Sequence, residues 1–149
     1  MAHMGGSAST EIDAPIDAVW AVVEDVSIAP DWQGGLVAIE PLERDAEGRP
    51  TLVESESDVK VRRVKTQVRF SYEPPTRLSW TQEKGDLKSV EGSWALEDLG
   101  EGRTRATYAL DSDPGRVLGM LLRGPVEAAV MAMLVNARPG ELKAYVEER

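Results

Sequence analysis

From Leu36 to Leu110 the chain alternates apolar and polar residues with a period of two. No other feature constrains the fold as strongly, because that rhythm belongs to half-buried strands. Candidate strands are Leu36–Arg44, Thr51–Lys60, Val64–Glu73, Arg77–Glu83, Lys88–Asp98 and Arg103–Asp111. The breaks carry turn chemistry: Glu47-Gly48-Arg49-Pro50, Glu73-Pro74-Pro75, Lys84-Gly85-Asp86 and Gly100-Glu101-Gly102. Successive antiparallel hairpins are the simplest arrangement. Ser7 to Ile12 adds a short first strand, which makes about seven.

The flanks read as helices. Pro15 suits a first helical position, and Asp17 favours the positive end of the helix dipole. Ile16, Val19, Trp20 and Val23 then form one apolar face of a helix of about ten residues. Ser27 to Gln33 is a short second helix carrying Trp32, stopped by Gly34-Gly35. Asp113-Pro114-Gly115 ends the sheet, and Arg116 to Arg123 forms another short helix. Gly124-Pro125 starts a long one running to about Glu148. Val126, Val130, Met133, Leu134, Leu142, Tyr145 and Val146 share its broad apolar face, with Met131 nearby. Pro139-Gly140 lies inside it, and an internal proline removes a backbone bond, so a kink is expected.

Composition narrows the chemistry. The 149 residues suit one domain, which buries roughly 68–70% of its unfolded surface. There is no cysteine, which excludes disulfides, thiolate–metal sites and thiol nucleophiles. The single histidine, His3, lies in Met1-Ala2-His3-Met4-Gly5-Gly6, which reads as an expression-tag remnant. The native domain is then 7–149, without histidine, and Ser-His-Asp triads and histidine–metal sites drop out. Neither a metal nor a cofactor is expected. The formal charge of -9 disfavours nucleic acid and anionic membrane surfaces. No apolar run approaches the ~20 residues of a membrane span, and no signal peptide is visible. The expectation is a cytoplasmic protein, monomeric or weakly dimeric.

Charge also suggests a strand register. If partner numbers sum to 123, Asp58 meets Lys65 and Glu54 meets Arg69 on one face. The other face then pairs Val53 with Phe70, Ser55 with Val68, Ser57 with Thr66 and Val59 with Val64. A slip of one residue would mix the faces. The inner face therefore carries hydroxyls among valines. They either bond to neighbouring groups or border a partly polar cavity. In the next hairpin a sum of 170 sets Leu78 against Gly92 and Trp80 against Val90. Gly92 leaves room beside Trp80 and Trp94.

The order is strand, two helices, six-strand meander and long C-terminal helix. Its motifs are Ile12-Asp13-Ala14-Pro15-Ile16-Asp17-Ala18-Val19-Trp20 with Asp25, Trp32, and Gly92-Ser93-Trp94-Ala95-Leu96. Gly102-Arg103-Thr104-Arg105-Ala106-Thr107-Tyr108 and Leu142-Lys143-Ala144-Tyr145-Val146-Glu147 complete the set. With these the chain resembles the SRPBCC (START/Bet v 1-like, helix-grip) superfamily, and within it the bacterial polyketide cyclase/dehydrase-like branch. The resemblance implies an α+β helix-grip fold: a curved antiparallel sheet wrapped around a long C-terminal helix, with two short helices after the first strand. It also implies an elongated cavity between sheet and helix. Family members bind lipids, polyketides, isoprenoid quinones and plant hormones there, and a few are aromatase/cyclases. Pro139-Gly140 departs from a straight gripping helix.

Three roles follow. The first is binding of a hydrophobic small molecule, of lipid, polyketide or isoprenoid type. Its candidate lining is Ser55, Ser57, Val68, Phe70, Tyr72, Leu78, Trp80, Trp94, Tyr108, Val126, Val130, Met133 and Leu134. The second, implied by the resemblance, is a polyketide cyclase/dehydratase. Without histidine, its proton donors would be Tyr72 and Tyr108. Glu127, Arg123, Asn136 and Arg138 could reach the cavity mouth, but a solvated position suits each better. The third is a protein-interaction module of toxin or co-chaperone type, against which the acidic charge argues.

Overall fold

The structure, a computed structural model, describes residues 4–148. His3 and the two residues before it lie outside that range. The seven strands are β1 (Met4–Ile12), β2 (Leu36–Arg44), β3 (Pro50–Asp58), β4 (Arg63–Glu73), β5 (Arg77–Gly85), β6 (Ser89–Gly100) and β7 (Arg103–Asp113). They form one antiparallel sheet in the order β1-β7-β6-β5-β4-β3-β2. Only β1 leaves sequence order, reaching the far edge to pair with β7 along its whole length. Met4, Gly5 and Gly6 belong to β1, and Met4 is buried. Residues 4–6 of the stretch set aside as a tag remnant therefore take part in the sheet.

Helix α1 (Ile16–Glu24) buries Val19, Trp20 and Val23 from the face that the spacing indicates, and Val22 beside them, while Ile16 is half-buried. Val26–Asp31 follows as a 3-10 turn. Helix α2 (Arg116–Leu121) comes after β7. The C-terminal helix is composite: α3 (Pro125–Met131), a π turn (Ala132–Asn136) and α4 (Arg138–Glu147). Here the expectation of a proline inside a continuous helix is corrected. Pro139 occupies the first turn of α4, where its missing N–H is harmless. The wider turn before it is closed by Ala137 N–H donating to Ala132 O at 3.0 Å. That bond spans five residues, so the ladder is reset instead of broken.

The helix is tied to the opposite end of the chain. Glu147 accepts the Asp13 N–H at 2.8 Å, and Lys143 Nζ donates to Glu11 O at 3.1 Å. Thr104, fully buried, donates to Ala14 O at 2.8 Å. The motifs around Ile12, Thr104 and Leu142 thus meet at one corner. Their polar residues hold β1, β7 and α4 in place.

Both proposed registers are two residues off. In β3–β4 the partner numbers sum to 121: Val53 faces Val68, Ser55 faces Thr66 and Ser57 faces Val64. Asp58 is used in the turn, accepting the Lys60 N–H at 2.8 Å, and does not face Lys65. Lys60 takes φ 74° there, and Val59 N–H donates to Arg62 O. Arg69 turns from Glu54 to Glu83 on β5 at 2.5 Å and to Glu43 on β2, two strands away, at 3.2 Å. In β5–β6 the sum is 172, so Leu78 faces Trp94 and Trp80 faces Gly92. That hairpin centres on Asp86, whose N–H and carboxylate both bind the Lys65 backbone. A slip of two keeps every side chain on its face, so the inward and outward sets stand.

Candidate functional site

The concave face of the sheet reads as two aromatic rows. Phe70, Trp80, Gly92 and Leu110 stand side by side on β4 to β7. The next row is Tyr72, Leu78, Trp94 and Tyr108. Trp80 lies directly on Gly92: a Cβ there would sit 2.3 Å from its Cε2. Glycine is therefore required by the indole and not by the strand. The Phe70, Trp80, Tyr108 and Trp94 rings follow one another at 5.7, 5.7 and 4.8 Å between centroids. Trp32 extends the chain, 6.2 Å from Trp94.

Between this face and the helices lies a cavity of about 170 Å³. Ten of the thirteen residues proposed for its lining are on its wall: Ser55, Ser57, Val68, Phe70, Leu78, Trp80, Trp94, Tyr108, Val130 and Leu134. Ser55 and Thr66 face each other and share a hydrogen bond of 2.9 Å. These two inward hydroxyls thus satisfy one another while bordering the cavity. At one end the wall is apolar. Met4, Val59, Val64, Leu118, Leu122 and Val130 form a buried cluster there, under α2 and α3.

Three proposed residues stand elsewhere. Tyr72 is on the inner row, but its hydroxyl donates to Pro50 O at 2.5 Å. The Arg49 guanidinium covers its ring at 4.8 Å. Burial pushes the Tyr72 phenol well above its usual range, so it is neither a cavity residue nor a base. Val126 packs on the apolar cluster under α2 and α3 and is not on the cavity wall. Met133 lies over Gly35, whose Cβ would come within 3.0 Å of its Cε. The π turn carries Met133 away from the phase of a regular helix.

The opposite end is polar, and the sequence reading missed most of it. Arg138, assigned to solvent, is 3% exposed and lines the cavity. Its Nη1 donates to Gly34 O at 2.9 Å and to Glu141 Oε1 at 2.8 Å. Glu141 Oε2 in turn accepts the Gly34 N–H at 2.9 Å. Gly34 is so placed that a Cβ would lie 2.8 Å from that oxygen. The loop after the 3-10 turn is thereby clamped to the start of α4. Arg138 Cζ stands 5.8 Å from the centre of the Tyr108 ring. Burial raises the Tyr108 phenol, and the guanidinium opposes that rise without cancelling it. Tyr108 is therefore a hydrogen-bond donor at neutral pH. Trp32, Gln33 and Asp25 complete this end of the wall. One signal was available: Arg138 lies four residues from both Leu134 and Leu142, on the inner stripe of the helix. Arg123, Asn136 and Glu127 do not line the cavity.

The comparisons agree with this geometry. The model of the family described as "Polyketide cyclase / dehydrase and lipid transport" matches residues 5–147. The chain belongs to that family. The family match covers the β1 residues from Gly5 onward as well as the gripping helix. Among solved structures, a START superfamily protein from Mycobacterium smegmatis superimposes with a TM-score of 0.82 at 18% identity, covering 99% of both chains. The Zhui aromatase/cyclase from Streptomyces sp. R1128 gives 0.81 at 20%, covering 99% of this chain and 96% of that one. A protein from Thermus thermophilus gives 0.81 at 19%, covering 97% of both. At these identities the likeness is one of fold, the helix-grip fold of the START superfamily. No curated protein sequence matches the chain significantly. Among the described residues no group of carboxylates and histidines is arranged to hold a metal ion, and no helix is long and apolar enough to cross a membrane.

Proposed function

We propose that the protein binds a small hydrophobic molecule in the cavity between the sheet and the C-terminal helix. The observation that carries this is the wall itself: a continuous aromatic and aliphatic surface around a void that the side chains leave unfilled. Protein interiors close such voids unless they are used, since an unfilled void forfeits packing contacts. The size is informative. About 170 Å³ is close to the roughly 150 Å³ of an engineered apolar cavity that takes benzene. The resting cavity therefore suits a ligand of one or two rings, or a short chain. A larger polyketide or lipid would require α2 to move outward.

The test is native mass spectrometry after mild extraction, followed by calorimetric titration with α-methylstyrene. Saturable binding with a negative heat-capacity change supports the reading. Ser57→Phe should abolish it, because the added ring fills the void from a half-buried position. No carried ligand and no saturable heat in the wild type would refute the reading. Analysis of recovered probe also separates binding from turnover. A poly-β-ketone mimic returned unchanged supports a binder, and a cyclised product supports the cyclase alternative.

A further inference from the structure

The apolar end of the cavity has an outer surface that neither packing nor the binding of a small molecule accounts for. Two short segments cover that end: the β3–β4 turn, 59–65, and α2 with the residues after it, 116–124. Their inner side chains, Val59, Val64, Leu118 and Leu122, meet in one buried cluster. Their outer sides therefore stand together at one end of the molecule. Among the described residues six large hydrophobic side chains are exposed, and four of them, Val61, Val117, Met120 and Leu121, are here. Charge is concentrated in the same place. The two segments hold six of the 17 Lys and Arg, namely Lys60, Arg62, Arg63, Lys65, Arg116 and Arg123, and none of the 26 Asp and Glu. All six are exposed. Lys60, Lys65, Arg116 and Arg123 make no ion pair with a described residue. The nearby carboxylates of Asp58, Asp86 and Asp113 each accept a backbone N–H within the turns.

We infer that this end of the molecule docks on an anionic lipid bilayer, with Val117, Met120, Leu121 and Val61 entering the interface and the basic side chains meeting the headgroups. The inference stands apart from the binding function proposed above and does not depend on it. Apolar residues ringed by Lys and Arg are the pattern of an interfacial contact: the apolar groups sink to the acyl boundary while the long basic chains keep their charges at headgroup level. Six residues of helix lie on a membrane and do not span it. The molecule as a whole carries a charge of -9, which opposes an anionic surface, but over the Debye length of about 8 Å only the nearest charges count. A second copy of the chain is the poorer occupant, because it would set this basic end against another. A bilayer also takes in separate apolar side chains without a matching groove.

The test is cosedimentation of the full chain with vesicles of phosphatidylcholine alone and of phosphatidylcholine with phosphatidylglycerol. Binding should be at least tenfold tighter to the anionic vesicles and should fall as salt is raised, since each basic residue near such a surface contributes about fivefold. Arg116→Gln with Arg123→Gln should weaken it at least fivefold, and so should Met120→Gln with Leu121→Gln. All four side chains are exposed, so both double variants should fold. Val37→Gln with Leu42→Gln, on exposed apolar residues of β2, should leave binding within twofold. The chain lacks cysteine, so an environment-sensitive dye can be attached at a single place. On anionic vesicles the dye should shift to the blue in Met120→Cys and stay unchanged in Leu42→Cys. No binding to the anionic vesicles, or equal binding to both kinds, would overturn the inference. Binding that both α2 variants leave undiminished would overturn the assignment of the face. Self-association in the ultracentrifuge that Met120→Gln with Leu121→Gln abolishes, without vesicle binding, would give the face to a second copy and overturn the choice of a bilayer.

Discussion

The two ends of the cavity are built by different chemistry. At one end Leu118, Leu122, Val130, Val59 and Val64 close the space with aliphatic side chains alone. The cover is thin. On the outer side of α2, Val117, Met120 and Leu121 are 71%, 61% and 50% exposed. At the other end Arg138, Glu141 and Gly34 form a closed set of hydrogen bonds around a buried charge. Aliphatic contact is tolerant of small displacements, whereas a clamped guanidinium has one geometry. The difference teaches a division of labour. The polar end fixes orientation, and the apolar end adapts to the length of what is bound.

Substitutions can break this contrast. The largest effect is expected from Arg138→Met, which leaves Glu141 and Gly34 O without their partner. Breaking a buried ion pair costs about 3–5 kcal/mol, and Glu141 keeps a quarter of its exposure, so about 2–3 kcal/mol is expected. Urea denaturation would measure it, and a loss below about 1 kcal/mol would mean that the clamp is incidental. Leu118→Ala at the other end should cost about 2 kcal/mol, near the low limit for a buried leucine, because one side already borders the void. The same variant should bind bulkier apolar probes more tightly, as calorimetry would show. Unchanged preference for probe length would contradict an adaptable end.

Gly92→Ala sharpens the comparison from the middle of the cavity. The new methyl collides with the Trp80 indole, which must swing into the void. Overpacking of this kind costs about 1–3 kcal/mol, and probe binding should fall at the same time. Stability and affinity unaffected together would show that Trp80 does not lie on Gly92.

The smallest effect concerns the corner outside the cavity. Lys143 and the Asp13 N–H hold the Glu147 carboxyl below its ordinary value of 4.5. A depressed carboxylate contributes stability that is present above the unfolded value and lost as pH falls through the folded one. The Tm difference between wild type and Glu147→Gln should therefore be largest above about pH 5 and vanish in acid. A difference that grows on acidification would reverse the sign and refute this cap.

How much of this was legible in the sequence differs between the same regions. The sheet and its faces were, because alternation survives an even slip in register. The registers themselves were not. Asp58 looks like a partner for Lys65, yet it spends an oxygen on its own turn, a local use that outcompetes an exposed ion pair. The aromatic row followed from spacing, and so did Val130 at the apolar end, whereas Leu118, Leu122 and Met4 were not anticipated there. The polar end did not follow, because Gly34 and Glu141 are more than a hundred residues apart and meet only once the sheet curls around the helix. Arg138 stood on the apolar stripe all along, but its charge argued for solvent until a partner was known. Tyr72 failed for the opposite reason. Its row points inward, but Pro50 O captures its hydroxyl.

The central claim is that the void between the sheet and the C-terminal helix is a binding site. Methyl-resolved NMR tests it most directly, with α-methylstyrene titrated into the wild type and into Ser57→Phe. Saturable shifts should appear at Val22, Val68, Leu118, Val130 and Leu134, which surround the void, and disappear in the variant. Shifts that fail to saturate, or that persist unchanged in Ser57→Phe, would contradict it.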